Sequence, residues 1–547
     1  MRSSETIAVG RPRVGPGLLA TALATVLVLA LLAVLLWIVG VNALRWFWPS
    51  PVWQFTLYDG RVVTGEVVDR QYLPTDQTRP ADYRVLVKTG NREITGHDHL
   101  WVRESEISEI QKPREVVRIT RTSFGTAYGR ILRARDCDGQ TLDSVDAETL
   151  EPLLGEASEL LDRSADLRGT ADRLRRPISR LELGAATLRR SDHARTAAGN
   201  REVEEIQRRI EHRSRRIAPQ LEALADELRA IDERLSRASL VVASGDVERE
   251  IPLAGILEVQ WPNTMSPLHR AAICGRNFGR FLVDPPREAN TEGGIFPALF
   301  GTVFMVLLMS LAVMPLGVLT AVYMTEYASD GIPLKIAHQA INNLAGVPSI
   351  VIGIFGLTFF VYGIGGGIDR VFFAESLPTP TFGTGGILWA SLTLALLTVP
   401  VVVVATREGL VSVPRERREG AMALGATRWQ TLRRIVLPAA MPGVLTGLIL
   451  AIGRAVGEVA PLMLTGVVKL APSLPLEGSP PFVHLERKFM HLGYFIYDVS
   501  MQSPNVEAAK PMAFAATLVL LGLVLVINLA AIIIRRRLRL AYRVMEI

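Results

Sequence analysis

The sequence predicts an all-α polytopic membrane protein of six transmembrane helices. It carries an exported insert made of a small β-sheet and a long antiparallel helical hairpin. Three observations predict this. Hydrophobic residues make up 49% of the 547 and mean hydropathy is positive, yet the apolar residues are unevenly spread. Six stretches are long enough to cross a hydrocarbon layer of ~30 Å, which takes ~20 apolar residues. Between the first and second of them, roughly 250 residues show strand alternation and a helical seam instead.

The six stretches lie near Leu18–Val41, Phe296–Met324, Ala340–Val361, Ile387–Ala405, Met441–Thr465 and Met512–Ile534. Arg2, Arg11 and Arg13 precede the first, as in a signal peptide. Its apolar run is about twice a usual h-region and no small-x-small cleavage site follows, so it reads as an anchor. Arginines set the orientation. They cluster at the N-terminus, between the fourth and fifth stretches (Arg407, Arg415, Arg417, Arg418, Arg428, Arg433, Arg434) and after the sixth (Arg535, Arg536, Arg537, Arg539, Arg543). Six crossings with both termini inside place all three clusters in the cytoplasm of a cell with an inner membrane. The net charge of +6 is then met by anionic membrane lipid and needs no nucleic acid.

The chain thus divides into a cytoplasmic N-terminus with the first anchor (1–45), a periplasmic insert (46–294), a membrane domain (295–536) and a cytoplasmic tail (537–547). Within the insert, 52–135 alternates apolar and polar residues in short runs, such as Trp53–Tyr58, Arg61–Val68 and Tyr83–Val87, separated by turn signals. From 147 to 238 the period becomes helical. Leu150, Leu153, Ala157, Leu160 and Leu167 begin one seam, and Val203, Ile206, Ile210, Ile217 and Leu221 begin its return after a polar tip at Ser191–Asn200. Such seams make an antiparallel coiled-coil hairpin with arms of ~60 Å. Pro177 and Pro219 should kink or break the arms. Strand character returns over 239–262, so the hairpin reads as inserted between strands of one sheet.

Cys137 and Cys274 both fall in the insert. An oxidising compartment allows a disulfide between them; the alternative is two small buried hydrophobes. His97 and His99 share a strand face but lack a third ligand. No metal site, catalytic nucleophile or bound cofactor is expected.

Charge inside the membrane is expensive and marks function by default. Only the fifth stretch carries it centrally. In Gly453-Arg-Ala-Val-Gly-Glu458, Arg454 and Glu458 stand at i, i+4 and share a helix face. Arg454 lies ~24 Å along the helix from Pro438. One reading is an ion pair that lets the helix stay in lipid. The other is an anion path, in which the forked guanidinium meets an oxyanion. Asn342 and Asn343, before the helix-breaking Gly346 and Pro348, are candidates for lining the path or gluing helices.

The loop Glu419–Pro438 reads EGAMALGATRWQTLRRIVLP. Glu419, Gly420 and Ala421 are followed by Gly425, then by Ile435, Leu437 and Pro438. Physically this reads as two short helices hinged at Gly425, with Pro438 in the first turn of the next helix. The plainer alternative is a basic loop between spans. The arrangement resembles the cytoplasmic EAA loop (409–438 with its flanks) by which ABC-importer permeases grip their ATPase. The chain has no G-x-x-x-x-G-K-[ST] of its own.

Residues 293–543 resemble the A-type permease subunit of phosphate-specific (Pst) ABC importers. The resemblance rests on Gly293–Thr302, Thr325–Ala328, Asn343–Ile350, the EAA loop and Gly453–Thr465, whose Ala-Pro-Leu-x-Leu-Thr ending is A-type. It implies the type I importer permease fold, a non-catalytic subunit in phosphate import, and a path through Arg454 and Glu458. It also implies a C-type sister permease, an ATPase dimer holding ATP and Mg, and a periplasmic phosphate-binding protein. Gly420 departs from the usual second position of the EAA pattern, and the insert is far longer than in compact members. A sulfate or molybdate permease is the alternative within the class. A membrane sensor with an external coiled coil is the alternative outside it, and a secondary transporter would need no EAA loop.

Overall fold

The computed structural model describes residues 16–74, 82–90, 98–143, 145–190, 197–244, 247–374, 377–478, 482–503 and 506–543. Among them six helices are long and apolar enough to cross a membrane: Ala20–Phe47, Phe296–Tyr327, Ser349–Phe372, Ile387–Val411, Arg428–Gly457 and Ala509–Arg537. His97 and the tip residues 191–196 lie outside the described residues.

The insert follows α1 (Pro16–Phe47). It contains two sheets where the sequence predicts one. Strands β1 (Val52–Leu57), β2 (Val62–Leu73), β3 (Asp82–Lys88), β4 (His99–Arg103) and β5 (Ile107–Gln111) form the first, in the order β4-β3-β2-β1-β5. The second contains β6 (Val116–Arg121), β7 (Ala127–Arg135), β8 (Thr141–Leu142), β9 (Ser239–Ser244), β10 (Val247–Pro252) and β11 (Ile256–Gln260). Its order is β10-β9-β7-β6-β11, with β8 on β7. Pro113 marks the border, since it cannot donate to a ladder, but the alternation resumes at once and hides the break from the sequence. Asn263 fastens the junction: its amide nitrogen donates to the carbonyls of Val52 and Pro113, both at 2.8 Å.

The hairpin is α2 (Ala147–Arg190) and α3 (Ala197–Arg237). It leaves the second sheet after β8 and returns at β9. Since β7 pairs with β9, Arg135 opposite Ser239, the hairpin is inserted between neighbouring strands as the pattern predicts. Leu150, Ala157, Ala185, Val203, Ile231 and Leu235 are buried along the seam. The expected breaks at Pro177 and Pro219 do not occur. Both prolines, and Pro152, sit inside uninterrupted helices. Each removes one backbone bond, and the packed seam on either side holds the path. The cysteines are free thiols. Cys137 is buried with the hairpin root and Cys274 packs in a separate cluster with α1, so no disulfide joins them.

A helix that the sequence reading omits, α4 (Pro267–Val283), carries the chain back toward the membrane domain. Ser266 caps it, accepting from the His269 amide at 3.3 Å. A strap of two short strands follows, β12 (Pro286–Arg287) and β13 (Glu292–Gly293). Between them Glu288, Ala289 and Asn290 have φ of 46°, 54° and 74°. Left-handed backbone costs non-glycine residues about 1–2 kcal/mol each, so outside contacts must hold the strap. On the insert side, Lys88 pairs with Glu292 at 2.6 Å and Thr126 donates to the same oxygen at 3.0 Å. On the membrane side, buried Asn290 donates to Asp498 and to the Lys469 carbonyl, each at 3.1 Å.

The membrane domain is built around α9 (Ile387–Val411), two-thirds buried over its most apolar window. It packs between α5 (Phe296–Val322) and α12 (Leu437–Gly457). Small residues allow the approach. A Cβ on Gly443 would lie 2.7 Å from the Gly409 Cα, and one on Gly317 would lie 2.6 Å from a Val402 methyl. Between α5 and α9 run α6 (Ile332–Ala345), α7 (Ser349–Phe355) and α8 (Gly366–Phe372), the last two joined by a continuous wide-turn helical segment. After α12 come α13 (Ala460–Thr465), α14 (Leu492–Met501) and α15 (Val506–Arg543), and α1 leans on α15.

Two outcomes follow from the insert. Cutting out 147–238 and joining the ends with a short linker should leave β7 and β9 paired and the membrane domain assembled. The check is monodispersity and thermal stability of the shortened protein in detergent; failure to assemble would make the hairpin part of the membrane fold. The second concerns pH. Burial lowers the His99 pKa from 6.5 to about 4, with help from the Lys88 charge and against the pull of Glu292. Burial also disfavours the Glu292 carboxylate, but the charge and hydrogen bonds of Lys88 outweigh it and hold Glu292 at about 2. Both folded values are depressed, so both contributions are complete above the unfolded pKa and fade as pH falls. Stability of the insert, followed by tryptophan fluorescence, should decline from pH 6.5 toward 4 through His99, then further from 4.5 toward 2 through Glu292. His99→Gln should flatten the first interval only.

Candidate functional site

Helix α12 stops at Gly457. Glu458 is extended, with φ −79° and ψ 129°, so Arg454 and Glu458 do not share one continuous helix as expected. Arg454 is in its last turn, and Glu458 is the residue that leaves it. They still meet, with Arg454 Nε 3.3 Å from Glu458 Oε1. The cation is therefore compensated twice, by the carboxylate and by the negative end of the helix.

One face of this helix end is filled and the other is open. Ala451, Ala455 and Val456 are fully buried in the central cluster. A Cβ added at Gly453 or Gly457 would meet nothing within 4 Å. The Arg454 side chain is 34% exposed and that of Glu458 20%, enough for a solute to reach either. A cavity of about 1380 Å³ lies elsewhere, between the insert, α1 and the start of α15. It draws no lining residue from α12.

A second helix break faces the same cluster. The expected third span, 340–361, is divided: α6 ends at Ala345, Gly346 and Pro348 interrupt, and the spanning helix begins at Ser349. Leu344 and Val347 at this break pack on the cluster that holds Ala455 and Val456. The short helices after the two breaks touch, since a Cβ on Gly353 would come within 2.7 Å of the Pro461 Cα. The fifth span is likewise shifted from 441–465 to Arg428–Gly457. Pro461, which has no N–H for the Gly457 carbonyl and whose ring would crowd it, explains the stop. Asn342 and Asn343 are exposed on α6. Asn343 accepts from Gln339 at 2.9 Å, and among the described residues neither asparagine is hydrogen-bonded to Arg454 or Glu458.

At the opposite end of α12 is the loop. α10 (Arg415–Ala423) ends at Leu424; Gly425 turns the chain at φ +88°; Thr427 and Gln430 form a reciprocal cap for α11 (Arg428–Thr431). Two helices with a glycine hinge are thus observed. Pro438 does not begin a separate helix, however. The helical path runs unbroken from Arg428 through a wide turn, Leu432–Val436, into α12. The Leu437 amide reaches back five residues to Leu432. That widening falls beside Pro438, which has no N–H to offer, and accommodates its ring. Glu419, Gly420 and Gly425 are exposed, Ala421 is buried, and Ile435, Leu437 and Pro438 are half-buried. Outward from the loop stand Met422, Trp429 and Leu424, the last 91% exposed.

The sequence reading missed the anchor of this loop. Arg418 pairs with Glu326 at 2.9 Å and donates to the Leu410 carbonyl at 2.5 Å. It ties α10 to the ends of α5 and α9. Glu326 reads as a span-end charge that needs no partner, and the signal that could have found the pair is the conjunction of the Thr325–Ala328 string with the arginine before Glu419.

A family model described as "Binding-protein-dependent transport system inner membrane component" matches residues 314–540. The chain is 34% identical over 257 residues to the probable ABC transporter permease protein YqgI of Bacillus subtilis, covering 46% of this chain and 81% of that protein. It is 35% identical over 243 residues to the phosphate transport system permease protein PstA 1 of Mycobacterium tuberculosis, 44% of this chain and 71% of that one. A probable PstA of Methanocaldococcus jannaschii is 32% identical over 241 residues, 43% and 74%. The chain belongs to the binding-protein-dependent inner membrane permeases of ABC transporters. It is a multi-pass membrane subunit, and the match falls on the membrane domain.

Proposed function

We propose that this chain is the A-type permease subunit of an ATP-driven importer of inorganic phosphate. The observation that carries the proposal is Arg454, a cation held at the open end of a spanning helix in a domain similar to named phosphate permeases. The sister permease supplies the facing wall of the path, beside Gly453 and Gly457. A phosphate meets the Arg454 fork, displaces Glu458 as its partner, and is released as the carboxylate returns. Asn342 and Asn343 line the approach at the neighbouring break. ATP and Mg are held by a separate ATPase dimer, and a periplasmic phosphate-binding protein delivers the substrate. Both termini and the loop face the cytoplasm, and the insert faces the periplasm.

The loop docks in a groove of the ATPase. Leu424, Met422 and Trp429 supply the apolar contact, and Glu419 and Ala421 set the first helix. Arg418–Glu326 passes the movement of the docked loop to α5 and α9, and the unbroken helix from Arg428 passes it to Arg454.

Arg454→Gln should abolish phosphate uptake by the assembled transporter while the binding protein still holds phosphate. Arg454→Lys should recover part of it, because a point charge lacks the fork. Glu458→Gln should slow turnover without loss of assembly, since the helix end still compensates the cation. If the pair were only structural, removing both charges together would restore uptake; near-normal transport by the double Gln variant at matched expression would falsify the path. Sulfate or molybdate, rather than phosphate, stimulating ATP hydrolysis in the reconstituted complex would reassign the substrate.

Gly425→Val tests the docking. A Cβ at this position would meet nothing within 4 Å, so the main effect is on the backbone, where a β-branched residue at φ +88° costs on the order of 1–3 kcal/mol. The variant should reach the membrane and bind its sister permease, but couple ATP hydrolysis to uptake poorly. Normal uptake would remove the loop from the coupling scheme.

A further inference from the structure

The hairpin carries its charge in two opposed blocks. Residues 172–190 and 197–216, the far part of α2 and the first half of α3, contain twelve arginines and six Asp and Glu, a net +6. The stretches 147–171 and 217–237, which root the hairpin in the second sheet, contain five arginines and eleven Asp and Glu, a net −6. The hairpin as a whole is neutral, so its composition conceals this polarity. Along either arm the block centres are about 30 Å apart, several times the ~8 Å screening length at physiological salt. The far block therefore presents itself to solvent as a cation.

At the root the arms are stitched to each other, Arg163 to Glu227 and Arg234 to Glu156, both at 2.7 Å. In the far block Arg208 pairs with Glu204, Arg209 with Glu205 and Arg215 with Glu211, each within one helix. Those side chains are 62–85% exposed, so exchanging the partner for another anion costs little. Arg201, Arg213 and Arg216 are exposed beside them. Meanwhile the far seam is closed by apolar packing of its own, with Ala185 and Val203 buried, so the arginines are not needed to hold the arms together.

What the far block lacks identifies its partner. Among its described residues no large hydrophobic side chain is exposed. Tight protein interfaces rely on a few desolvated aromatic or apolar anchors, and none is offered here. A long row of solvated guanidinium forks suits a flexible polyanion, whose affinity comes from counterion release and needs no apolar centre. We propose that residues 172–190 and 197–216 bind an anionic polymer of the cell envelope that bears phosphate or carboxylate groups. That this polymer is extracytoplasmic rests on the orientation given under Proposed function; the binding itself does not.

The test uses the full chain in nanodiscs of zwitterionic lipid, with labelled polyphosphate and polygalacturonate as probes, titrated between about 50 and about 200 mM salt. In the key variant Arg201, Arg208, Arg209, Arg213, Arg215 and Arg216 are each replaced by Gln. Affinity should fall at least tenfold at the lowest salt. The slope of log affinity against log salt should flatten by about four, at roughly 0.7 per lost charge. Replacing the same six with Lys should preserve the slope, and removing 147–238 should reproduce the Gln result. If the six Gln substitutions prevent folding, two triple variants should each remove about half the slope. Preference for one probe says which acidic group the polymer carries. Unchanged binding of both probes by the Gln variant or the shortened chain overturns the proposal, because the cytoplasmic arginines would then be the site. Six-arginine-dependent binding to anionic vesicles or to an acidic protein that exceeds binding to either polymer also overturns it. Loss of phosphate uptake in Arg454 variants leaves this result untouched, so the two readings fail separately.

Discussion

Close packing of α9 against α5 and α12 is the constraint on which the membrane domain depends. In lipid, bringing two apolar helices together gains no hydrophobic free energy, and association rests on dispersion between backbones that approach closely. Gly409 against Gly443 and Gly317 against Val402 leave no room for a further carbon, and Gly447 sits tightly against Ala405. These contacts fix where α12 lies, and α12 carries a functional feature at each end. One end continues unbroken into the loop with Leu424 and Trp429; the other presents Arg454 to open space. A single helical path, Arg428–Gly457, thus connects the proposed docking surface to the proposed solute-binding cation.

The insert is attached to this domain by contacts of another kind. The strap at Glu288–Asn290 is held in an unfavourable backbone conformation by polar groups from both sides, Lys88 and Thr126 from the sheets, Asp498 and the Lys469 carbonyl from the membrane domain. Apolar packing of α1 and α4 supplements it. The same Lys88 that holds Glu292 is the cross-strand neighbour of His99: burial and then this charge lower the histidine, while for the acid the charge and hydrogen bond of Lys88 outweigh burial.

Periodicity made the large elements legible. The helical seam and the strand runs were readable because burial on one face imposes a repeat on the sequence, and the six apolar stretches because crossing a membrane sets their length. The loop was readable because its glycine and its exposed residues stand at fixed spacing. What escaped was set by tertiary partners. Two sheets read as one because alternation says which face is buried but not which strands pair. The fifth span read as ending at Thr465 because Glu458-Val-Ala-Pro is apolar enough to continue, and only the observed backbone shows the helix stopping. The prolines of the hairpin read as breaks because propensity ignores the packed arm opposite. Asp369 gave no signal at all: its carboxylate accepts the amides of Thr381, Phe382 and Gly383 at 2.6–3.0 Å, a contact across a loop that no spacing encodes.

The position of the hairpin between β7 and β9 bears on how the chain reaches this structure. Arg135 and Ser239 are roughly a hundred residues apart in sequence, and joining them through a flexible loop of that length would carry a substantial closure entropy. A hairpin changes the order of events. Its arms pair at short sequence separation beside Arg190 and Ala197, and a paired hairpin holds the two strand ends side by side. The distant strand pair then closes as though it were a short β-turn, and the second sheet can form while the helices that follow it in the chain are still being made.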